Sequence, residues 1–585
     1  MITLRRVHVF ECTLIAMALA SAADASTIDA VRGEDLFPES TFFVARASDI
    51  RGTMDDFAAS PLMQMIGDGE DLDEMLMPML EEMGRGMELG PNDVVLPEEV
   101  GLAAYITFDE DLGIEVPAYL LHISFGESEA MARAIFEQRM TEMTVDSNAK
   151  FDREEMRGRE MLVIDAGIEM PGLDEFMDQD MMLPIGGDTD FMNDSLSTTY
   201  MVRDGARLLI GSEPIAIDDA LSVIDGGKAR VLADNDDYQA LLDMIPDGGH
   251  DLNAMILTGG IQPMIAPVAG PMAGGILPIV QQLFGDIRGY GFWMDMGQDE
   301  SVIEGGVSIL VDGERLGLVK LLDVSTPVED VPAFVPGGAV SYGRMDFDFK
   351  GLVPTIRDVL GNLPEGDAQQ IEPMFEQFAP MLQSGLDTLG PQIHVFTVET
   401  DSPFTPTRTT IAIPTSNGEA LEQVFAMLAP AAGLMPRDFN GDTIYSDPLD
   451  EFSQVAVGIG AGSLVIGQSD GVEAVLRSSG QKGLPQMEDS PAVQAVTDAL
   501  PSGELMGWGV LDFVRQIEAQ QAMAAMLPML LGQAGIDPGA IQDEMERVMK
   551  MDEEAVAEMF GPGWWFMNSD DEGINFRVGV MAPGN

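Results

Sequence analysis

Two nine-residue stretches open on proline, alternate apolar with polar positions and close on arginine: PESTFFVAR (Pro38–Arg46) and PGGAVSYGR (Pro336–Arg344). A period of two is the signature of a strand with one buried face. Each stretch is the first of a series that recurs in the same order. An apolar strand followed by an amphipathic helix is written as GESEAMARAIF (Gly126–Phe136) and again as SNGEALEQVF (Ser416–Phe425), the helix starting at a Ser/Asn cap. GREMLVID (Gly158–Asp165) answers to GDTIYSD (Gly441–Asp447), and the hairpin YMVRDGARLLIGS (Tyr200–Ser212) to VAVGIGAGSLVIGQS (Val455–Ser469). QALLDMIPDG (Gln239–Gly248) and QAVTDALPSG (Gln494–Gly503) share Gln, Ala, Asp, Pro and Gly at the same offsets, in a short helix stopped by Pro-x-Gly. GFWMDMGQDESV (Gly291–Val302) and GWWFMNSDDEGI (Gly563–Ile574) close the series.

Six ordered matches predict a tandem duplication: module one over 33–326 and module two over 331–585, joined near STPVEDVPAFVP (Ser325–Pro336). The unit is far longer than the 20–50 residues of a solenoid repeat. Within each module the predicted order is strand, helix, two strands, helix, strand, hairpin, two helices, strand, long helix and final hairpin. Strands that meet in hairpins predict an α+β fold, with mostly antiparallel sheets and helices packed on one face. In the last hairpin the buried face is expected to carry Ile574, Phe576, Val578 and Val580, and in module one Ile303, Val307 and Ile309. Trp293 and Trp565 are expected as core anchors beneath the matching turns.

Charge changes this picture. Lys+Arg number 30 against Asp+Glu 99, a net charge of −69. So acidic a surface repels nucleic acid and anionic lipid, and suits salty surroundings where ions screen self-repulsion. With 46% hydrophobic residues the chain still has the means to build cores. Residues 1–25 read as a signal peptide: a basic MITLRR, an apolar VHVFECTLIAMALA and small residues at Ala-x-Ala spacing. An exported protein, periplasmic or extracellular, is expected. The only cysteine, Cys12, lies in that segment, so the mature chain is expected to carry no disulfide. The uncharged run Asn253–Gly285 is broken by Pro263, Pro267, Pro271 and Pro278, so no transmembrane segment is expected after the leader.

The search for chemistry yields weak patterns. GIGAGS (Gly458–Ser463) has Gly-x-Gly but is followed by a strand, LVIG, rather than the helix a phosphate loop requires, and reads as a hairpin turn. His122, His250 and His394 are expected to be structural, since zinc needs three or four N/S ligands and the mature chain offers no Cys. Calcium is the better cation on ligand grounds. Module one carries an acidic, Met-rich insertion at 165–197, and Asp188, Asp190 and Asp194 within it are the calcium candidates. The clusters at Asn235–Asp237 and Ser569–Gly573 are expected in turns. The chain has 43 methionines, and Met75, Met79, Met83 and Met87 fall near helical spacing. They read as core filler, as a groove for an apolar ligand or partner helix, or as a soft-metal site.

The Pro-led opening strands, the small elements after them and the Pro-x-Gly stop resemble an uncharacterised family of exported bacterial proteins, a domain of unknown function. The resemblance implies no activity and brings no functional residues. Three functions are compatible with these residues. The first is a non-catalytic binding or structural protein with no cofactor. The second is a carrier of an apolar ligand in a Met-lined cavity or a cleft between modules. The third is a carboxylate-dependent hydrolase.

Overall fold

The computed structural model describes residues 32–60, 89, 94–109, 114–145, 150–165, 198–246, 251–259, 283–296, 301–313, 315–361, 365–399, 407–447, 455–478, 486–517, 521, 556–557 and 559–583. The chain divides into two compact units, the first ending at Val311 and the second running from Asp312 onward, with residues 277–286 and 299–302 grouped with the second.

Among the described residues the first unit holds the strands β1 (Thr41–Ser48), β2 (Glu99–Asp109), β3 (Ile114–Ser124), β4 (Lys150–Met156), β5 (Arg159–Asp165), β6 (Thr198–Asp204), β7 (Arg207–Gly211), β8 (Leu252–Leu257), β9 (Asp286–Met296) and β10 (Ser301–Asp312). Antiparallel pairings run in the order β4-β5-β6-β7-β3-β2-β1-β8-β9, and β10 adjoins β9. The second unit holds β11 (Ala339–Asp346), β12 (Gln392–Glu399), β13 (Thr407–Pro414), β14 (Met435–Phe439), β15 (Asp442–Ser446), β16 (Val455–Gly460), β17 (Ser463–Gln468), β18 (Gly507–Leu511), β19 (Gly563–Ser569) and β20 (Gly573–Met581). Its antiparallel order is β14-β15-β16-β17-β13-β12-β11-β18-β19-β20. Helices and large antiparallel sheets together make the fold α+β.

Helices lie on both faces of each sheet, not on one as expected. In the first unit, helices α1 (Ile50–Ala59) and α2 (Glu129–Val145) bring Ile50, Met131 and Phe136 against Val100, Ile123, Leu162 and Leu208. Helices α3 (Pro214–Ile224) and α4 (Asp236–Met244) bring Ile217, Leu221 and Leu241 against Ala103, Leu120, Val202 and Leu209. Leu208 and Leu209, like Met201 and Val202, are strand neighbours and so point to opposite faces. Each fully buried Leu or Ile contributes roughly 1.5–3 kcal/mol through the surface it removes from water. In the second unit, α5 (Gly317–Leu322) and α6 (Leu352–Gly361) precede α7 (Glu365–Leu386), and Leu386 packs with α8 (Gly418–Leu428) in the cluster of Ile413, Tyr445 and Leu464. Helices α9 (Ser469–Ser478) and α10 (Pro491–Ala499) cover Ala412, Ala456 and Val465 on the other face.

Ile574 is buried as expected, and two-faced packing explains why the rest of the last hairpins is not. Val302, Ser308 and Leu310 are buried in β10 while Ile303, Val307 and Ile309 are half-buried, and Val578 in β20 is 46% exposed. Alternation marks two faces, but with apolar clusters on both it does not say which is deeper. The same slip affects the tryptophans. Trp293 is buried and pairs with Asn253, and the residue of β19 that pairs with the second unit's corresponding Trp508 is Phe566. Trp565 lies half-buried on the opposite face. Its ring crosses a floor of glycines, so that a Cβ added at Gly509 would come 2.2 Å from its Nε1 and one at Gly343 2.7 Å from its Cζ2.

The segment Arg315–Thr326, which the repeat pattern places in module one, and Pro327 of the linker are fastened to the second unit. Thr326–Pro327 pairs with Glu504–Leu505, and Arg315 Nη2 donates to the Gly573 carbonyl at 3.0 Å. Among the described residues no helix is long and apolar enough to cross a membrane.

Candidate functional site

The arginines that end the two opening stretches occupy matching places, each in the first strand of its sheet and each flanked by the strands second and eighth in order. Arg46 in β1 faces Gly101 and Asn253, and beyond Gly101 lies His122. Arg344 in β11 faces His394 and Trp508, and beyond His394 lies Ala412. A polar row therefore crosses one face of each sheet. The histidine sits one strand further out in the first unit. Its place opposite Arg46 is taken by Gly101, above which lies the Phe37 ring: a Cβ there would stand 2.8 Å from Phe37 Cζ.

In the second unit the row is closed by hydrogen bonds. Arg344 is 1% exposed. Its Nη1 donates to the Pro327 carbonyl at 2.6 Å and its Nη2 to those of Thr326 and Leu505, both at 3.1 Å. Its Nε lies 3.4 Å from Asp346 Oδ1, and Asp346 Oδ2 accepts from the Thr326 hydroxyl at 2.6 Å. Burial raises the Asp346 carboxyl, opposed by the Thr326 hydrogen bond and the arginine charge. The Tyr342 hydroxyl and His394 Nδ1 are 2.9 Å apart, and Phe334 meets the imidazole edge-on at 5.5 Å. Burial and the charge of Arg344 hold His394 down to about 4, so it is neutral at pH 7.

In the first unit Arg46 Nε donates to Glu99 Oε1 at 3.1 Å, and Nη1 lies 3.0 Å from Glu34 Oε2. Glu99 Oε1 also accepts from the Gly33 amide at 3.0 Å. Both arginines thus fasten the segment that leads into their sheet. His122 is fully buried, and neither ring nitrogen has a hydrogen-bond partner among the described residues. Burial, then the charges of Arg207 and Arg46, push it down to about 3. His122 in β3 and His394 in β12 are both buried; His250 lies outside the described residues.

A second polar arrangement was not foreseen from the sequence. Asp251, just before β8, and Asp295, near the end of β9, are 1% and 4% exposed. The Asp251 amide donates to Asp295 Oδ1 at 3.0 Å, and the Met296 amide donates to Asp251 Oδ2 at 2.8 Å. Counting along the matched strands puts Met506 and Asn568 at these places in the second unit, so the acid pair belongs to the first unit alone. Nothing in the spacing of two acids 44 residues apart marks them among 99 carboxylates.

The other candidates resolve differently. Asp188, Asp190 and Asp194, like Met75, Met79, Met83 and Met87, lie outside the described residues. Asn235 caps α4, its Oδ1 accepting from the Tyr238 amide at 3.1 Å. Asp570 Oδ1 takes the amides of Glu572 and Gly573, each at 2.9 Å, and so shapes the β19–β20 turn. GIGAGS is a two-residue hairpin turn at Ala461–Gly462, with φ of 54° and 76°. Among the described residues no group of three or more His, Cys, Asp or Glu is arranged to hold a metal ion. No family model, curated protein or solved structure matches this chain.

Proposed function

We propose that this is an exported, non-catalytic protein with a binding or structural role, built from two copies of one α+β module. The common strand order and the paired positions of Arg46 and Arg344 support the duplication. One observation carries the functional reading: the polar side chains best placed for chemistry are spent on the fold. Arg344 is committed to three backbone carbonyls, Arg46 to Glu34 and Glu99, and His394 to Tyr342. Both histidines stay neutral through the physiological range, with pKa values near those of carboxylates rather than of a working base. The buried pair Asp251 and Asp295 is what a carboxylate hydrolase would draw on, yet at 1% exposure Asp251 is closed to a substrate.

The test is native mass spectrometry of the protein purified from the exported fraction, with and without added Ca²⁺. The expected species is the polypeptide lacking residues 1–25, with Ca²⁺ adding in a graded, unsaturated series as it does on a diffuse acidic surface. A retained apolar molecule at fixed stoichiometry would replace this reading with the carrier. A single saturating Ca²⁺ would instead point to a built cation site, with Asp188, Asp190 and Asp194 the first residues to replace.

A further inference from the structure

The run VFAMLAPAAGLMP, residues 424–436, stands apart in a chain of net charge −69: none of its thirteen side chains carries a charge, a hydroxyl or an amide. It forms the end of α8, a 3₁₀ turn over Ala429–Ala432 and the start of β14. Among the described residues, eight of the thirteen are exposed, Met427 and Met435 at 61% and 62%. A contiguous apolar patch on an otherwise acidic surface marks a contact site. The patch is anchored from beneath, where Ala429 is buried and Phe425 and Leu434 pack on the core of Leu421, Tyr445 and Leu464. Its backbone is satisfied internally. The Ala429 amide donates to the Phe425 carbonyl, the Gly433 amide to that of Pro430 at 3.2 Å and the Leu434 amide to that of Ala429 at 2.9 Å. Gly433 closes the turn with a φ of 76°, and Pro430 and Pro436 have no amide to satisfy. At the same place in the element order, from α2 to β4, the first unit carries Glu142, Asp146 and Lys150 instead.

We propose that this tip docks on the surface of a neutral, zwitterionic lipid bilayer, with Met427, Leu428 and Met435 entering the boundary between headgroups and acyl chains. The size and chemistry of the patch select lipid over protein. A stable protein–protein interface uses roughly 20–30 residues a side and one hydrogen bond per 100–200 Å². Eight exposed residues without a polar side chain are too few and supply no such bonds, and a second copy of the chain would bring its own large negative charge. Hydrocarbon requires only that backbone polar groups be satisfied internally, which is the condition the turn meets. The charges begin at the rim, with Glu422 before the run and Arg437 and Asp438 after it, Arg437 Nη2 donating to Glu473 Oε1 at 2.6 Å. With acids at the rim and a net charge of −69, an anionic leaflet repels the protein before the tip can touch it. A surface without net charge does not. The tip lies on the bilayer rather than spanning it.

Flotation of the polypeptide lacking residues 1–25 with phosphatidylcholine vesicles tests this, at roughly 1 mM lipid, where a single myristoyl chain is mostly bound. The protein is expected to float with the vesicles. Replacing Met427→Glu and Met435→Glu together should lower the partition coefficient at least about tenfold, since two carboxylates then stand where apolar side chains left water. Vesicles of equal parts phosphatidylcholine and phosphatidylglycerol should bind less at low salt and recover at about 1 M NaCl, where screening acts within a few ångströms. No flotation with phosphatidylcholine would overturn the proposal. So would binding that survives the double substitution, or binding that rises with phosphatidylglycerol content. A dimer seen by light scattering and lost in the double variant would replace the lipid with a second copy of the chain. Should that variant fail to fold by circular dichroism, hydrogen exchange on the wild-type protein decides: phosphatidylcholine vesicles must slow exchange in 425–436 and leave 205–211 unchanged. Equal rates with and without vesicles in 425–436 would also overturn the proposal.

Discussion

Arg344 shows what a buried charge requires. Its guanidinium has no exposure to speak of and is matched by three carbonyls and one carboxylate. Removing it leaves those carbonyls and Asp346 buried without a partner, so Arg344→Ala is expected to cost about 3–5 kcal/mol of stability, read as the shift in the urea midpoint of the second unit. Arg344→Met fills the space and should cost less than the alanine, although it still strands Asp346. His122 makes the complementary case. It is neutral in the fold, while an unfolded chain binds a proton below about 6.5. Its contribution is therefore complete above that value and is lost as pH falls toward about 3. His122→Gln should flatten the stability of the first unit between pH 6.5 and 4, measured by thermal melts across that range. Asp251 works in the opposite direction: burial raises its carboxyl to about 7, so its contribution is present at low pH and is lost as pH rises toward that value, and Asp251→Asn is expected to flatten the profile there.

At the scale of elements, the hairpin turns and edge strands divide the legible from the hidden. The β16–β17 turn uses Ala461 and Gly462, both with positive φ. Two left-handed residues fit the twist of a two-residue hairpin, but alanine pays for its Cβ there. Ala461→Asn is expected to stabilise the second unit by about 0.5–1 kcal/mol, seen as a higher denaturant midpoint. The matching β6–β7 turn needs no such repair, because Gly205 takes its positive φ. Strands β4 and β14 were missed by pattern altogether. KFDREEM is nearly all charged and MPRDF carries a proline, so neither alternates. Each pairs with one neighbour in its sheet, β4 with β5 and β14 with β15. Charge and proline are what an edge strand needs to refuse further partners, and they erase the signal by which strands are recognised.

For the whole molecule the point of division matters. The repeat pattern cuts the chain near 326–331, at a Pro-rich acidic stretch, whereas the compact units separate at Val311 and Asp312. The difference lies in Thr326 and Pro327, which form a strand with Glu504–Leu505 and supply two of the carbonyls that Arg344 binds. A fragment beginning at Asp312 is expected to unfold cooperatively by circular dichroism. One beginning at Val331 should melt earlier, by an amount comparable to Arg344→Ala, since it leaves the same guanidinium short of partners. Similar melting of the two fragments would show that the linker contributes nothing to the second unit.

Apart from β4 and β14, the order of the described strands, the hairpin at GIGAGS and the paired arginines could be read from the chain alone, because alternation, turn residues and caps act over a few neighbours. The acid pair at Asp251 and Asp295, the polar rows beside Arg46 and Arg344, and the glycine floor beneath Trp565 could not. Each joins residues from strands far apart in sequence, and a shift of one position in register turns a side chain to the other face. Local physics set the elements of this protein; only the pairing of strands in space decided which charges would meet inside it.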